Sequence, residues 1–200
     1  MDSVVGSFRK VCALCACAAA LASADTAAAQ TQQGQARAVQ ASVVQLLGIN
    51  TVAVSDTGMV SGADDAREAS QGAYTGSLVS ADTLHASTIT WANQVASEAS
   101  VADLVVNVAG ATIAADFVMA RAQSVAGAPG ANDTEIDGLS INGVPVTVTG
   151  LPNQAVSIPG GWVVINEQRT SPGSAAVNAL HVVISGVADV VVASATARVQ

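Results

Sequence analysis

Between Ala109 and Gly186 the chain is broken repeatedly by glycine- and proline-containing turns. They include Ala109-Gly110, Gly127-Ala128-Pro129-Gly130, Pro152-Asn153, Pro159-Gly160-Gly161, Pro172-Gly173 and Ser185-Gly186. Glycine supplies positive φ and proline fixes φ near −65°, so each break ends a regular element. The segments between them alternate small apolar and polar residues. Leu104, Val106 and Val108 alternate with Asp103 and Asn107, and Val144, Val146 and Val148 alternate with Pro145, Thr147 and Thr149. A period of two is the mark of a half-buried strand. Asn142-Gly143 lies between Ile141 and Val144, and a type I′ hairpin turn needs positive φ at both of its central residues. Pro145 cannot donate to a ladder, so that strand is expected at an edge or with the proline nitrogen facing outward.

Further strands are predicted at 38–47, 84–91, 112–121, 162–168, 176–184 and 189–198. Residues 95–104 are ambiguous between helix and strand, with the valines favouring strand, and residues 64–70 read as one helical turn or a loop. The expected fold is therefore all-β: a single antiparallel β-sandwich of roughly eight to ten strands spanning residues 37–200. A β-solenoid is the alternative, because Ala66-Arg67-Glu68-Ala69-Ser70 resembles Ala96-Ser97-Glu98-Ala99-Ser100 thirty residues later.

The first 29 residues read as an export signal. Arg9 and Lys10 precede an uncharged apolar stretch from Val11 to Leu21, and small residues place cleavage after Ala24 or Ala29. The stretch is shorter than the roughly 20 residues of a bilayer span. Cys12, Cys15 and Cys17, the only cysteines, fall inside it. The mature chain of about 170 residues then forms one domain without a disulfide. Leu14-Cys15-Ala16-Cys17 also looks like a lipobox, so a lipid anchor at Cys17 is the alternative to free secretion. Residues 30–36 are mostly polar and are expected to be a flexible mature N-terminus.

Five arginines (Arg37, Arg67, Arg121, Arg169, Arg198) stand against thirteen acids in the mature chain, a balance that argues against nucleic acid or an anionic membrane as partner. Tyr74, Trp91, Phe117 and Trp162 are its only aromatics, which lowers the weight of carbohydrate binding.

Several stretches resemble a bacterial exported family, choice-of-anchor P. They are Leu84-His85-Ala86-Ser87-Thr88, Glu98-Ala99-Ser100-Val101-Ala102-Asp103-Leu104, Ala115-Asp116-Phe117-Val118-Met119-Ala120-Arg121-Ala122, Ile165-Asn166-Glu167-Gln168, Val177-Asn178-Ala179-Leu180-His181-Val182 and the run from Gly186 to Ala195. The resemblance spans nearly all of the mature chain, in the family's order. It implies a β-rich surface domain that different bacteria fix to the envelope by different C-terminal signals. It implies no activity, so no functional residue is carried over. Here the sequence stops at Gln200, straight after a strand and without a hydrophobic tail, and C-terminal anchoring is not expected.

The expected role is a non-enzymatic structural or interaction domain of the cell surface or extracellular matrix. The rival is a secreted hydrolase or metal-dependent enzyme using the two histidines, His85 and His181. Imidazole with carboxylate suits zinc, and the carboxylates available are Glu98, Asp103, Asp116 and Glu167. No His-Glu-x-x-His or Gly-x-Ser-x-Gly spacing supports a catalytic centre. Glu98 with Glu167 is the best pair for glycoside hydrolysis, while arginine–carboxylate pairing, such as Arg121 with an acid across a sheet, explains isolated acids better. Asp133-x-Glu135-x-Asp137-Gly resembles the start of a calcium loop, but Val144 stands where the twelfth-position glutamate belongs. Asp64, Asp65 and Glu68 form a second acidic group. Envelope components or a second copy are the candidate partners; strand addition would use 38–44 or 189–199 as an open edge, but natural edges are usually protected, and pairing of 189–199 inside its own sheet is the favoured reading.

Overall fold

The computed structural model describes residues 30–46 and 48–200. The signal, its cleavage site and Cys17 lie outside the described residues. These residues form sixteen strands. The first eight are β1 (Gln32–Gln45), β2 (Gly48–Asp56), β3 (Val60–Ser61), β4 (Asp65–Gln71), β5 (Tyr74–Thr75), β6 (Val79–Ala81), β7 (Thr83–Trp91) and β8 (Gln94–Val108). The second eight are β9 (Ala111–Val125), β10 (Ala131–Asp137), β11 (Ser140–Ile141), β12 (Val144–Pro145), β13 (Gln154–Ile158), β14 (Gly161–Ser171), β15 (Ser174–Ile184) and β16 (Ala188–Val199).

They make two sheets. One runs β13-β14-β15-β16-β1-β2, with β3 beside the start of β1. The other is centred on the long pair β8–β9. There β7 and β6 share the outer side of β8, and β10 and β11 share that of β9. Every pairing is antiparallel, which removes the solenoid alternative. The strand count exceeds the expected one because several strands are two or three residues long. No described helix is long and apolar enough to cross a membrane.

The sheets face one another across a single core of alanine, valine, leucine and isoleucine. Such small side chains let the layers approach closely. At Gly34 a Cβ would lie 2.7 Å from Val95 Cγ1 and 2.8 Å from Thr88 Cγ2 of the opposite sheet, so only hydrogen fits. The layers are also laced at one corner. Gly173 N–H bonds to Ala128 O (3.1 Å), and the Asn132 amide bonds to Ala176 O (3.0 Å).

A crease crosses each sheet. In the first, the pairs Arg37–Ser194 and Val39–Val192 flank Ala38 and Ala193; the same register puts Ala179, Asn166 and Ser55 in that row. Asn166, Ala193 and Ser55 have φ of 54°, 50° and 49°, so alternate strands turn left-handed there. Adjacent residues are then both buried: Ala38 with Val39, Ala179 with Leu180, and Val192 with Ala193. Pairing register is kept while the inward phase shifts by one residue. Without that shift, half of each strand would turn its apolar side chains to solvent. The second sheet does the same at Asp103 (φ 52°), which faces Asp116 in register and is followed across β10 by Gly138 (φ 64°).

The Asn142-Gly143 hairpin forms as expected, with φ of 51° and 75° joining β11 to β12. Pro145 lies in the terminal strand β12. Four expectations need correction. Residues 32–36 are not flexible: they pair with β16, and Gln32 is only 3 % exposed, its amide donating to Ala92 O. Residues 65–71 are a strand, because β7 supplies a ladder that local propensity does not reveal. Residues 146–148 leave the sheet after Pro145. Residues 38–44 are not an open edge, since β1 lies between β16 and β2, whereas 189–199 pair inside their own sheet, between β15 and β1, as favoured from the sequence.

Candidate functional site

The crease brings polar side chains together on the outer face of the first sheet. Ala179 and Leu180 both point inward, so Asn178 and His181 become outer-face neighbours on either side of them. Glu167, directly across from Asn178 on β14, fits between the two. Its Oε2 accepts from Asn178 Nδ2 at 2.7 Å and lies 2.9 Å from His181 Nδ1. The other ring nitrogen, Nε2, is 3.2 Å from Asp189 Oδ2, a diagonal neighbour on β16. A neutral imidazole donates through one nitrogen only, so both carboxylates are hydrogen-bonded together only by the imidazolium form. Partial burial works against ionisation of Glu167. The Asn178 hydrogen bond, the His181 charge and hydrogen bond, and the Arg169 charge outweigh it and hold the carboxyl below its ordinary 4.5.

Chemically the cluster is closed. Both ring nitrogens of His181 already face a carboxylate, and no hydroxyl is bonded to either. A base that activates a serine needs one nitrogen on the acid and the other on the nucleophile. His85 differs in order but not in outcome. Its Nε2 is 3.4 Å from Glu68 Oε1, and Ser70 Oγ donates to that same oxygen at 2.8 Å. The acid sits in the middle, and no bond joins serine to histidine.

The remaining candidates are dispersed. Glu98 pairs directly with Arg121 across β8–β9, Nη2 to Oε2 at 2.6 Å, the pairing expected for an isolated acid. Glu98's hydrogen bond and charge, with Asp133 and Glu135 adding to them, raise the Arg121 pKa. Glu98 and Glu167 belong to different sheets. Asp103 and Asp116 are exposed on the second crease. Asp133, Glu135 and Asp137 form an outward stripe on β10, a strand rather than a loop. Residues two apart on a strand face lie roughly 6.6 Å apart at the backbone, which fans carboxylates rather than gathering them. Among the described residues no three His, Cys, Asp or Glu side chains group as a metal site. Of the six histidine and carboxylate candidates, Asp103 and Asp116 stand opposite one another as exposed like charges, and only Glu167 and His181 are hydrogen-bonded to each other. Trp91 and Trp162 are exposed on opposite sheets and share no platform.

A cleft of about 140 Å³ opens where the β1–β2 hairpin passes the β5–β6 turn. Val39, Val43, Val52, Val54, Leu78 and Tyr74 are among its lining residues, and no carboxylate, histidine or arginine lines it. The sequence reading missed this region because β2 was not recognised. The chain matches no family model, no curated protein and no solved structure.

Proposed function

We propose that this chain is an exported, non-enzymatic structural or interaction domain of a bacterial cell surface or extracellular matrix. The observation that carries the reading is how the polar groups are used: His181 has a carboxylate at each ring nitrogen, His85 Nε2 lies 3.4 Å from Glu68, and neither histidine lines the apolar cleft. A catalytic site instead converges a few reactive groups on a concave pocket. The signal-like first 29 residues support export, and the resemblance to choice-of-anchor P supports the cell surface.

Two experiments test it. Protein secreted from cells expressing the full chain is assayed against chromogenic esters, peptides and glycosides, with and without added zinc or calcium. The expected result is no turnover above buffer. Turnover that disappears in His181→Ala or His85→Ala would establish the enzyme reading instead. Mass spectrometry of the same material should find a mature N-terminus after Ala24 or Ala29, and a retained signal or a diacylglycerol-modified Cys17 would overturn free secretion.

A further inference from the structure

Most sheet edges in this molecule are guarded. β4 carries Asp65, Arg67 and Glu68, and β10 carries Asp133, Glu135 and Asp137. β12 ends in Pro145, β13 is five residues bracketed by Pro152 and Pro159, and β3 and β5 are two residues each. Charge, proline and shortness are the usual defences against strand addition. β2 has none of them. It is nine residues long, has no proline, and carries no charge before Asp56. Residues 48–53 are all exposed, with Ile49 at 71 %.

Among the described residues its backbone is open in a defined pattern. Gln45 and Gly48 close the β1–β2 hairpin, and bonds to β1 recur at every second pair from there. Asn50, Val52 and Val54 therefore bond to β1, while Ile49, Thr51 and Ala53 turn their N–H and C=O outward. Val44 agrees with this phase: its N–H points away from β2, to Val187 O at 2.9 Å.

We propose that β2 is a self-pairing edge whose partner is β2 of a second copy, antiparallel about a twofold axis at Thr51. Thr51 then pairs with Thr51, and Ile49 with Ala53 in both directions, making about six backbone hydrogen bonds. Paired positions have the same parity, so the two cleft-side faces continue into one another, and Val52 of each copy covers the apolar cleft rim of its neighbour. A copy is the occupant that the edge itself specifies: its outward residues 49, 51 and 53 are symmetric about Thr51, so self-pairing bonds each outward N–H and C=O of both strands and buries no charge. The inference names the partner for the interaction reading and rests on it.

The test is sedimentation velocity with light scattering on the secreted protein, beside Ile49→Lys, Ala53→Lys and Thr51→Pro. Lysine places charge on the edge, and proline removes an outward N–H without touching the β1 ladder. Ala155→Lys on β13 is the control. The expected result is a monomer–dimer equilibrium in the range of about 1–100 µM, weakened at least about tenfold by each β2 variant and unchanged by the control. Far-ultraviolet circular dichroism identifies folded variants, and the two lysine variants decide the matter if Thr51→Pro fails to fold. A wild-type monomer at about 1 mM, or a dimer that survives Ile49→Lys and Ala53→Lys, overturns the proposal. A monomer without hydrolase activity removes the dimer and leaves the interaction reading. Turnover dependent on His181 removes that reading whatever the mass.

Discussion

The outer face around His181 and the edge at β2 belong to one sheet and treat their hydrogen-bonding groups in opposite ways. Around His181, Glu167, Asn178 and Asp189 use their side chains on one another. At β2, Ile49, Thr51 and Ala53 hold outward backbone groups with no partner strand among the described residues. Charge follows the same division, being gathered at His181 and absent from residues 48–55. The difference teaches where to look for function in a chain without a convergent site: a satisfied cluster stabilises the sheet, while an unguarded edge invites another strand.

The largest expected effect breaks the scaffold beneath the His181 cluster. Leu180 is fully buried at the crease. Leu180→Ala should lower stability by about 2–5 kcal/mol in urea or guanidinium unfolding, through lost burial and a residual cavity. Next comes the cluster itself. Glu167→Ala strips Asn178 and His181 of their shared acceptor and should lower stability by about 1–3 kcal/mol.

Acid sharpens the same point. The folded Glu167 carboxyl titrates below its ordinary 4.5; at Asp56 burial pushes upward, and the Gln35, Gly58 N–H and Arg37 hydrogen bonds with the Arg37 charge together outweigh it and hold the carboxyl below 3.8. Their stabilisation is present above those ordinary values and is lost as pH falls through the lower folded values. Unfolding midpoints measured from pH 6 down to about pH 2 should fall, and fall less steeply in Glu167→Gln, which keeps no titrating group there. A weaker effect is expected at the exposed Arg121–Glu98 pair. Arg121→Ala should change stability by about 0–1 kcal/mol, less in high salt. Smallest of all, Ile49→Lys should leave monomer stability within about 0.5 kcal/mol of wild type, because its side chain touches little in one copy.

Much of the sandwich was legible. β7, β9, β14, β15 and β16 each bury one face, so small apolar residues recur with period two, and Asn142-Gly143 marks its turn by chemistry alone. β4 and β10 were missed because each lies outside the core and shows almost no buried side chain to give a period. Gln32 and Gln35 misled by their polarity, although their amides find Ala92 O and Asp56 Oδ1. The cluster was half legible. His181 and Glu167 were both candidates, but their meeting depends on the crease, which shows locally only as apolar doublets such as Ala179-Leu180. Those doublets acquire meaning only when the register aligns them across five strands.

Amide hydrogen exchange read at Ile49, Thr51 and Ala53 over a concentration series tests the unguarded edge most directly. The account predicts fast exchange at low concentration, with protection rising at these three residues as dimer forms, while Asn50 and Val52 stay protected throughout by β1. Fast exchange at Ile49, Thr51 and Ala53 at every concentration would contradict it.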